Sequence, residues 1–441
     1  MANFSQEVLA GNHLLDSCQY SEKDAKFLLV GSDSAGHPVY IPVGEQMLSR
    51  HLLLLGGIGT GKSNAFNHLI RNVRNSLTNH DVAVIFDTKG DYYREFYRPG
   101  DVVLSCDNRA DGGDGPDYWN IFGEITIDDR VEENILEISK SLFSEKLERT
   151  SQPFFPNAAK DLFSALLLHM IRTPQLASHR NNESLRSILD SFSVSAMKSI
   201  LSSHSDLKAM IPYIKFEGTG QTLGVVSELQ QMVREIFVGS FQKRGTLSMR
   251  QLIRQKGGKV IFVEYDLGIG ATLTPVYRLL IDLAIKEALC RTTNEGNVYF
   301  FIDEFRLLPH LEHIDDGVNF GRSLGAKFIF GIQNVDQIAA AYGKDLAHSI
   351  LSGFGTTIAF RVNDAESRDY IKNLLGRNIK LQTYLSAIQN RGVSEQIREG
   401  YVVEDEDITN LPIGQAIFCA PGCQPFRFQF RLFVSSKQRD D

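Results

Sequence analysis

The stretch Gly56-Gly57-Ile58-Gly59-Thr60-Gly61-Lys62-Ser63 constrains this chain more than any other. It is a complete G-x-x-x-x-G-K-[ST] pattern. The run His51-Leu52-Leu53-Leu54-Leu55 before it reads as a buried strand, and 62–77 has helical spacing, with Phe66, Leu69, Ile70 and Val73 on one face. A strand, a tight glycine loop and a helix in that order make a phosphate cradle. Glycines let successive backbone N–H groups turn toward phosphate oxygens, and the helix N-terminus adds positive potential. Gly57, Gly59, Thr60 and Gly61 are therefore expected to line the cradle. Lys62 is expected to reach the β- and γ-phosphates of ATP, and Ser63 to hold Mg²⁺ through its hydroxyl.

A nucleotide loop in a βαβ setting predicts an α/β fold with a mainly parallel sheet. Asp81-Val82-Ala83-Val84-Ile85-Phe86-Asp87 is a second buried strand, ending in an acid. Groups at the C-terminal ends of parallel strands face the ligand edge, which makes Asp87 and Lys89 candidates for the nucleotide; a turn or helix-capping role for Asp87 stands beside that reading. Further strands are expected at 102–104, 258–265, 297–302, 327–333, 355–361, 415–418 and 426–432, with a hairpin over 26–43. Residues 1–25 read as a helical or irregular lead-in, and 376–400 as a polar, mobile segment. From 127 to 255 strand signals nearly vanish and helical periodicity dominates, which predicts an inserted all-α domain. The expected organisation is a lead-in and hairpin over 1–50, a nucleotide-binding domain over 51–126 and 256–441, and the insertion over 127–255.

The run Phe300-Phe301-Ile302-Asp303-Glu304 supplies the carboxylates that hydrolysis needs: Asp303 for the metal shell, Glu304 to polarise the attacking water. Gln333, ending the next strand, can hydrogen-bond a γ-phosphate or that water. Arg322 lies between these strands and could act on the γ-phosphate of a neighbouring subunit, where a guanidinium stabilises developing charge. Arg361 is a candidate sensor arginine. His51 and His68 are read as packing or capping residues, and Trp119 and Phe426, Phe428 and Phe430 as core.

Composition narrows the partners. The 441 residues are 43% hydrophobic and 22% charged with a net charge of −7, an ordinary globular balance that excludes a nucleic-acid coat or a polybasic membrane binder. The basic residues that could face DNA are scattered: Arg244, Arg250, Arg254, Lys256, Arg377, Lys380, Arg391 and Arg398. The five cysteines include one close pair, Cys419 and Cys423, read as ordinary thiols in a reducing compartment. No secretory signal and no apolar stretch of spanning length is visible.

An ordered set of motifs resembles one family. Arg50-His51-Leu52 running into the phosphate loop, Ile85-Phe86-Asp87-Thr88-Lys89-Gly90-Asp91-Tyr92, the helical insertion, Phe301-Ile302-Asp303-Glu304-Phe305, Gly321-Arg322-Ser323-Leu324-Gly325, Phe330-Gly331-Ile332-Gln333 and Arg361-Val362-Asn363-Asp364 are similar to the TraD/TraG-type coupling ATPases of conjugative type IV secretion. These belong to the FtsK/HerA group of RecA-like motor proteins. The resemblance covers about 36–370 and extends plausibly through the last two strands. It implies a RecA-like P-loop NTPase that binds ATP and Mg²⁺ and assembles as a homo-hexamer ring, the isolated chain being active only weakly if it stays monomeric. Lys62, Ser63, Asp303, Glu304 and Gln333 would come from one subunit and Arg322 from the next. It implies single- or double-stranded DNA as partner, a relaxase or effector protein at the all-α domain, and other type IV secretion components. Relatives carry a membrane-spanning N-terminal domain and some a long acidic tail, neither of which is present in this sequence. The expectation is thus a cytoplasmic chain, either a naturally soluble member held peripherally at the inner membrane by a separate membrane partner or a shortened one. Two alternatives stand: a receptor ATPase that recruits protein effectors, and a soluble HerA/FtsK-like DNA translocase of repair or defence.

Overall fold

A computed structural model of the chain describes residues 4–107, 117–191, 193–290, 295–385 and 393–435. The cation Arg391 lies outside them. The strands are β1 Phe4–Ala10, β2 Ala25–Ser32, β3 Pro38–Gly44, β4 Leu52–Leu55, β5 Val82–Asp87, β6 Val102–Ser105, β7 Val260–Glu264, β8 Val298–Ile302, β9 Ala326–Ile332, β10 Thr356–Ala359, β11 Arg377–Leu385, β12 Val393–Tyr401, β13 Gln415–Cys419 and β14 Phe426–Phe430. The chain forms two compact units, one of 1–78, 293–309 and 314–441, the other of 79–292 and 310–313.

In the first unit the strand order is β3-β2-β14-β13-β10-β4-β9-β8. β10, β4, β9 and β8 run parallel. β13, β14, β2 and β3 are added antiparallel. The parallel strands are buried along their whole length, as continuous apolar runs such as Leu52-Leu53-Leu54-Leu55 require when both faces are covered. β14 alternates buried Phe426, Phe428 and Phe430 with half-buried Arg427 and Gln429. The three phenylalanines are core, as expected.

Two expectations are corrected here. The lead-in contains β1, and 376–400, read as polar and mobile, contains β11 and nearly all of β12, while its 386–392 lies outside the described residues. These three form a separate antiparallel sheet in the order β1-β11-β12. Several of its large apolar residues are exposed, Leu9 at 48%, Ile379 at 43% and Ile397 at 66%. No continuous buried apolar run marks these strands, so pattern reasoning reads the region as irregular.

In the second unit β5, β7 and β6 are parallel neighbours. The remainder is largely helical, with helices Val131–Arg149, Phe154–Arg172, Asn182–Asp190, Val194–Ser203, Gly220–Ile236, Met249–Gln255 and Gly270–Leu289. Helix starts follow their capping residues: the side chains of Asn181, Ser193, Thr219 and Ser248 each accept a backbone N–H of the first turn. The core is built on Leu162, Phe163, Leu166 and Met170 against Ile138, Leu142 and Phe143. Trp119 is 1% exposed and donates its indole N–H to Glu124, which is fully buried and also accepts from Ser248 and from the backbone of Met249 and Arg250. Among the described residues no helix is long and apolar enough to cross a membrane.

Candidate active site

All of the phosphate-loop machinery lies in the first unit. β4 delivers the chain into the loop, which is pinned on both flanks. Gly56 N donates to Ile332 O of β9 at 3.1 Å, and Gly57 N donates to Arg361 O beyond β10 at 2.9 Å. Thr60, 3% exposed, closes the loop from inside by donating to Gly57 O at 2.8 Å. Gly59 has φ 72° and Gly61 φ 112°, conformations that a side chain disfavours. A Cβ on Gly61 would also stand 2.8 Å from Gly414 Cα. Gly414 in turn donates its N–H to Thr60 O at 2.9 Å, so the turn before β13 buttresses the loop.

Lys62 begins the helix Lys62–Ser76, and its ammonium is folded onto the loop's own carbonyls, Gly56 O and Gly57 O. Ser63 is exposed, and its hydroxyl donates to Asp303 Oδ2 at 3.1 Å. These residues are 240 apart in sequence and meet because β4 and β8 both flank β9 in parallel. Glu304 accepts from Gln333 Nε2 at 2.9 Å and from Arg306 Nε at 2.7 Å. The structure thus brings together Lys62, Ser63, Asp303, Glu304 and Gln333. A hydroxyl and a carboxylate meeting at one point are hard oxygen donors, the class Mg²⁺ takes. A second carboxylate beside an amide can hold and deprotonate a water.

Sequence reasoning missed three residues. Gly331 is one: a Cβ there would lie 2.4 Å from Asp303 O and 2.8 Å from Asp303 Oδ1, so glycine is what lets β8 end against β9. Gly414 is another. Arg306 is the third; its position two residues after a paired carboxylate was the available signal.

The other candidates are placed differently. Arg361 contributes its backbone carbonyl to the loop. Arg322 is exposed, the second residue of the short helical segment Gly321–Leu324 before β9. Asp87 lies in the second unit, 1% exposed, and its carboxylate accepts from the backbone N–H groups of Lys89, Gly90 and Tyr93. Burial raises its pKa against those three bonds. The capping role is the one its contacts fill. Lys89 is exposed and lines a cavity of about 310 Å³ with Arg94, Asp107 and Glu264.

His51 is buried, with φ 61°, and its Nδ1 accepts from Phe328 N at 3.2 Å. Burial, then the charges of Lys327 and Arg322, push its pKa down to about 3. His68 meets Arg431 O at 2.8 Å. Both are packing and capping groups.

Several cations read as DNA-facing are internal, which corrects that expectation. Arg250 is 2% exposed and pairs with Glu287 at 3.0 Å and Asp128 at 2.8 Å. Arg254 pairs with the same two acids, but its side chain is 41% exposed. Lys380 pairs with Glu404 at 3.2 Å, and Lys256 is buried. Arg244 and Arg398 are exposed.

One family, described as "Type IV secretion-system coupling protein DNA-binding domain", matches residues 37–427. Coupling protein TraD of Escherichia coli (strain K12) is 23% identical over 438 residues, covering 95% of this chain and 57% of the relative. The type IV secretion system-coupling protein VirD4 of Bartonella henselae is 23% identical over 239 residues, covering 50% of this chain and 36% of its own length. The chain thus spans about half the length of the curated relatives it matches. Among solved structures, the unbound bacterial conjugative coupling protein TrwBdeltaN70 superposes with TM-score 0.75 at 19% identity, covering 97% of this chain and 95% of that one. Plasmid coupling protein TrwB in complex with ADP and Mg²⁺ gives TM-score 0.72 at 18% identity, covering 99% and 97%. These likenesses establish the α/β, RecA-like fold with its mainly parallel sheet and helical part. With its match running from 37 to 427, the chain belongs to the family of type IV secretion-system coupling protein DNA-binding domains.

Proposed function

We propose that this chain is the ATP-hydrolysing part of a coupling protein that recruits DNA, or a relaxase–DNA complex, and delivers it to a type IV secretion channel. The observation that supports this most is the convergence at the parallel strand ends. Ser63 meets Asp303 at 3.1 Å, and Gln333 meets Glu304 at 2.9 Å. The glycine conformations at Gly59 and Gly61 and the oxygen donors of Ser63 and Asp303 fit a nucleotide with Mg²⁺, and relatives of this fold are described in complex with ADP and Mg²⁺ and with a non-hydrolysable ATP analogue.

In this reading Gly57, Gly59, Thr60 and Gly61 cradle the phosphates. Lys62 exchanges its loop carbonyls for the β- and γ-phosphates. Ser63 and Asp303 hold the metal, which when bound supplies charge neutralisation at the phosphates. Glu304 takes the proton of the attacking water, and Gln333 orients that water. Arg306 holds one Glu304 oxygen and so fixes the direction of the other. Arg361 steadies the phosphate loop through its backbone carbonyl, which accepts from Gly57 N. Arg322, exposed, acts in trans in a homo-hexamer. Residues 127–255 form an inserted all-α domain that receives a relaxase or effector between nucleotide-binding segments 51–126 and 256–441, behind the lead-in and hairpin of 1–50. The chain works in the cytoplasm, held at the inner membrane through a partner.

The test is ATP hydrolysis against protein concentration, with and without single- and double-stranded DNA, with Lys62→Ala as the blank. Turnover rising with concentration and again with DNA is expected. Turnover indifferent to DNA at every salt and DNA length would overturn the DNA-motor reading. A second reading, a receptor ATPase for protein cargo, is favoured by the burial and pairing of Arg250 and Lys380, which removes those two cations from any DNA face. Proteins recovered on the chain after nuclease treatment, with no DNA stimulation, would select it.

A further inference from the structure

In the second unit, Glu137, Asp282 and His313 bring one ligand atom each within 4.8 Å of one another. Glu137 stands on the helix Val131–Arg149, Asp282 on Gly270–Leu289, and His313 ends the short segment 310–313. Asp282 is 3% exposed and grips His313 twice. Its Oδ1 accepts the backbone N–H at 2.9 Å, and its Oδ2 meets Nδ1 at 2.9 Å. A carboxylate on Nδ1 selects the tautomer with the proton there and leaves Nε2 as the basic nitrogen. Nε2 faces Glu137 Oε1 at 3.7 Å. That oxygen is buried and has no hydrogen-bond partner, while Lys286 takes the other oxygen, Oε2. A buried carboxylate oxygen without a partner is costly, and here it points at a lone pair.

We propose that this cluster is a binding site for a divalent transition metal of the zinc class, with His313 Nε2 and Glu137 Oε1 as protein ligands. Bonds of about 2.1 Å to each would span the observed 3.7 Å at an angle of about 120–125°, within the range such ions accept. Asp282 is the orienting carboxylate behind the ligating imidazole, an arrangement that fixes the ring and raises its basicity. Side-chain exposures of 25% for His313 and 17% for Glu137 leave room for water to complete the shell. An imidazole with a carboxylate suits zinc better than Mg²⁺ or Ca²⁺. The charge also suits a dication: Asp282 and Glu137 against Lys286 leave one net negative charge, and the neighbouring Lys140–Glu312 pair at 3.0 Å is neutral. Bound there, the ion would tie 310–313 to the helices that carry Glu137 and Asp282. The competing occupant is a proton on Nε2. Burial lowers the His313 pKa, but the hydrogen bond and charge of Asp282 and the charge of Glu137 outweigh it and raise the value. Metal must therefore displace that proton, and affinity should fall as pH falls.

The test uses the full chain, free of nucleotide, titrated with Zn²⁺ and with Co²⁺ as a spectroscopic probe. One equivalent is expected to bind, with visible Co²⁺ absorption displaced by Zn²⁺ and a raised unfolding temperature. Glu137→Gln and His313→Ala should each weaken binding at least about tenfold, and Asp282→Asn by about ten- to a hundredfold. Asp303→Asn, which alters the Mg²⁺ position of the phosphate loop, should leave it intact. No equivalent bound at tens of micromolar metal, or equal binding by wild type and Glu137→Gln, would mean that a proton alone fills the site and would overturn the proposal. The result is independent of the ATPase reading, since no nucleotide enters the assay.

Discussion

Arg250 gives the sharpest contrast between a surface role and a structural one. In sequence it is one of several cations near the end of the helical region. In the structure its guanidinium is buried and makes four contacts: Glu287 at 3.0 Å, Asp128 at 2.8 Å, Asn134 Oδ1 at 3.0 Å and Glu124 O at 3.1 Å. Arg250→Ala removes all four. Breaking a buried ion pair from one side costs about 3–5 kcal/mol. The lower end applies here, because Arg254 still pairs with Glu287 at 2.6 Å and with Asp128 at 3.3 Å. The remaining loss falls on Asn134 Oδ1 and Glu124 O, which are left buried without this donor. The expected destabilisation is about 3 kcal/mol, read as a shift of the denaturant midpoint of the unfolding phase that contains this unit. DNA affinity of the folded variant, measured from low to moderate salt, should keep the wild-type slope. A DNA-contacting Arg250 gives the opposite pair of results: an unchanged midpoint, and a slope reduced by about 0.9 for each lost phosphate contact. That outcome would refute the burial argument.

Gly331→Ala should push Asp303 out of line, because the new Cβ would sit 2.4 Å from its carbonyl and 2.8 Å from Oδ1; overpacking of this kind costs about 1–3 kcal/mol, and the Mg²⁺ dependence of turnover should shift to higher concentration while the Mg²⁺-free nucleotide affinity holds. Arg322→Ala should abolish turnover yet spare nucleotide binding, and mixing it with Glu304→Gln subunits should restore part of the rate; no rescue in mixed assemblies would exclude action in trans. His51 makes the fold acid-sensitive. Its folded pKa of about 3 lies below the unfolded value near 6.5, so the unfolded state binds the extra proton between those limits. Stability from this group is present above pH 6.5 and is lost on acidification, by about 1.6 kcal/mol between pH 6.5 and 5. A His51→Gln variant should show a shallower loss over that window, and an identical slope would rule His51 out as its source.

What the sequence determined by itself is tied to short-range pattern. The phosphate loop was legible because strand, glycines, Lys62 and Ser63 are contiguous and each residue type has a single chemical use there. The apolar runs ending in Asp87, Glu264 and Asp303 announced buried parallel strands, since a strand covered on both faces tolerates little polarity. The long helices of the second unit were visible through their spacing and caps. Only the tertiary structure decided what depends on residues far apart in the chain. Gly414 supports Gly61, and Gly331 makes room for Asp303, through backbone approaches that no local pattern encodes. In β1, β11 and β12 the apolar Leu9, Ile379 and Ile397 are exposed, and the pairing of β1 with β11 joins segments more than 360 residues apart that no local pattern links. The cations divide in the same way. Arg250 and Arg398 are equivalent as letters; Glu124, Asp128, Asn134 and Glu287 enclose the first, and solvent surrounds the second. Charge is a property of the residue, but whether it faces a partner or the core is set by which helices pack around it.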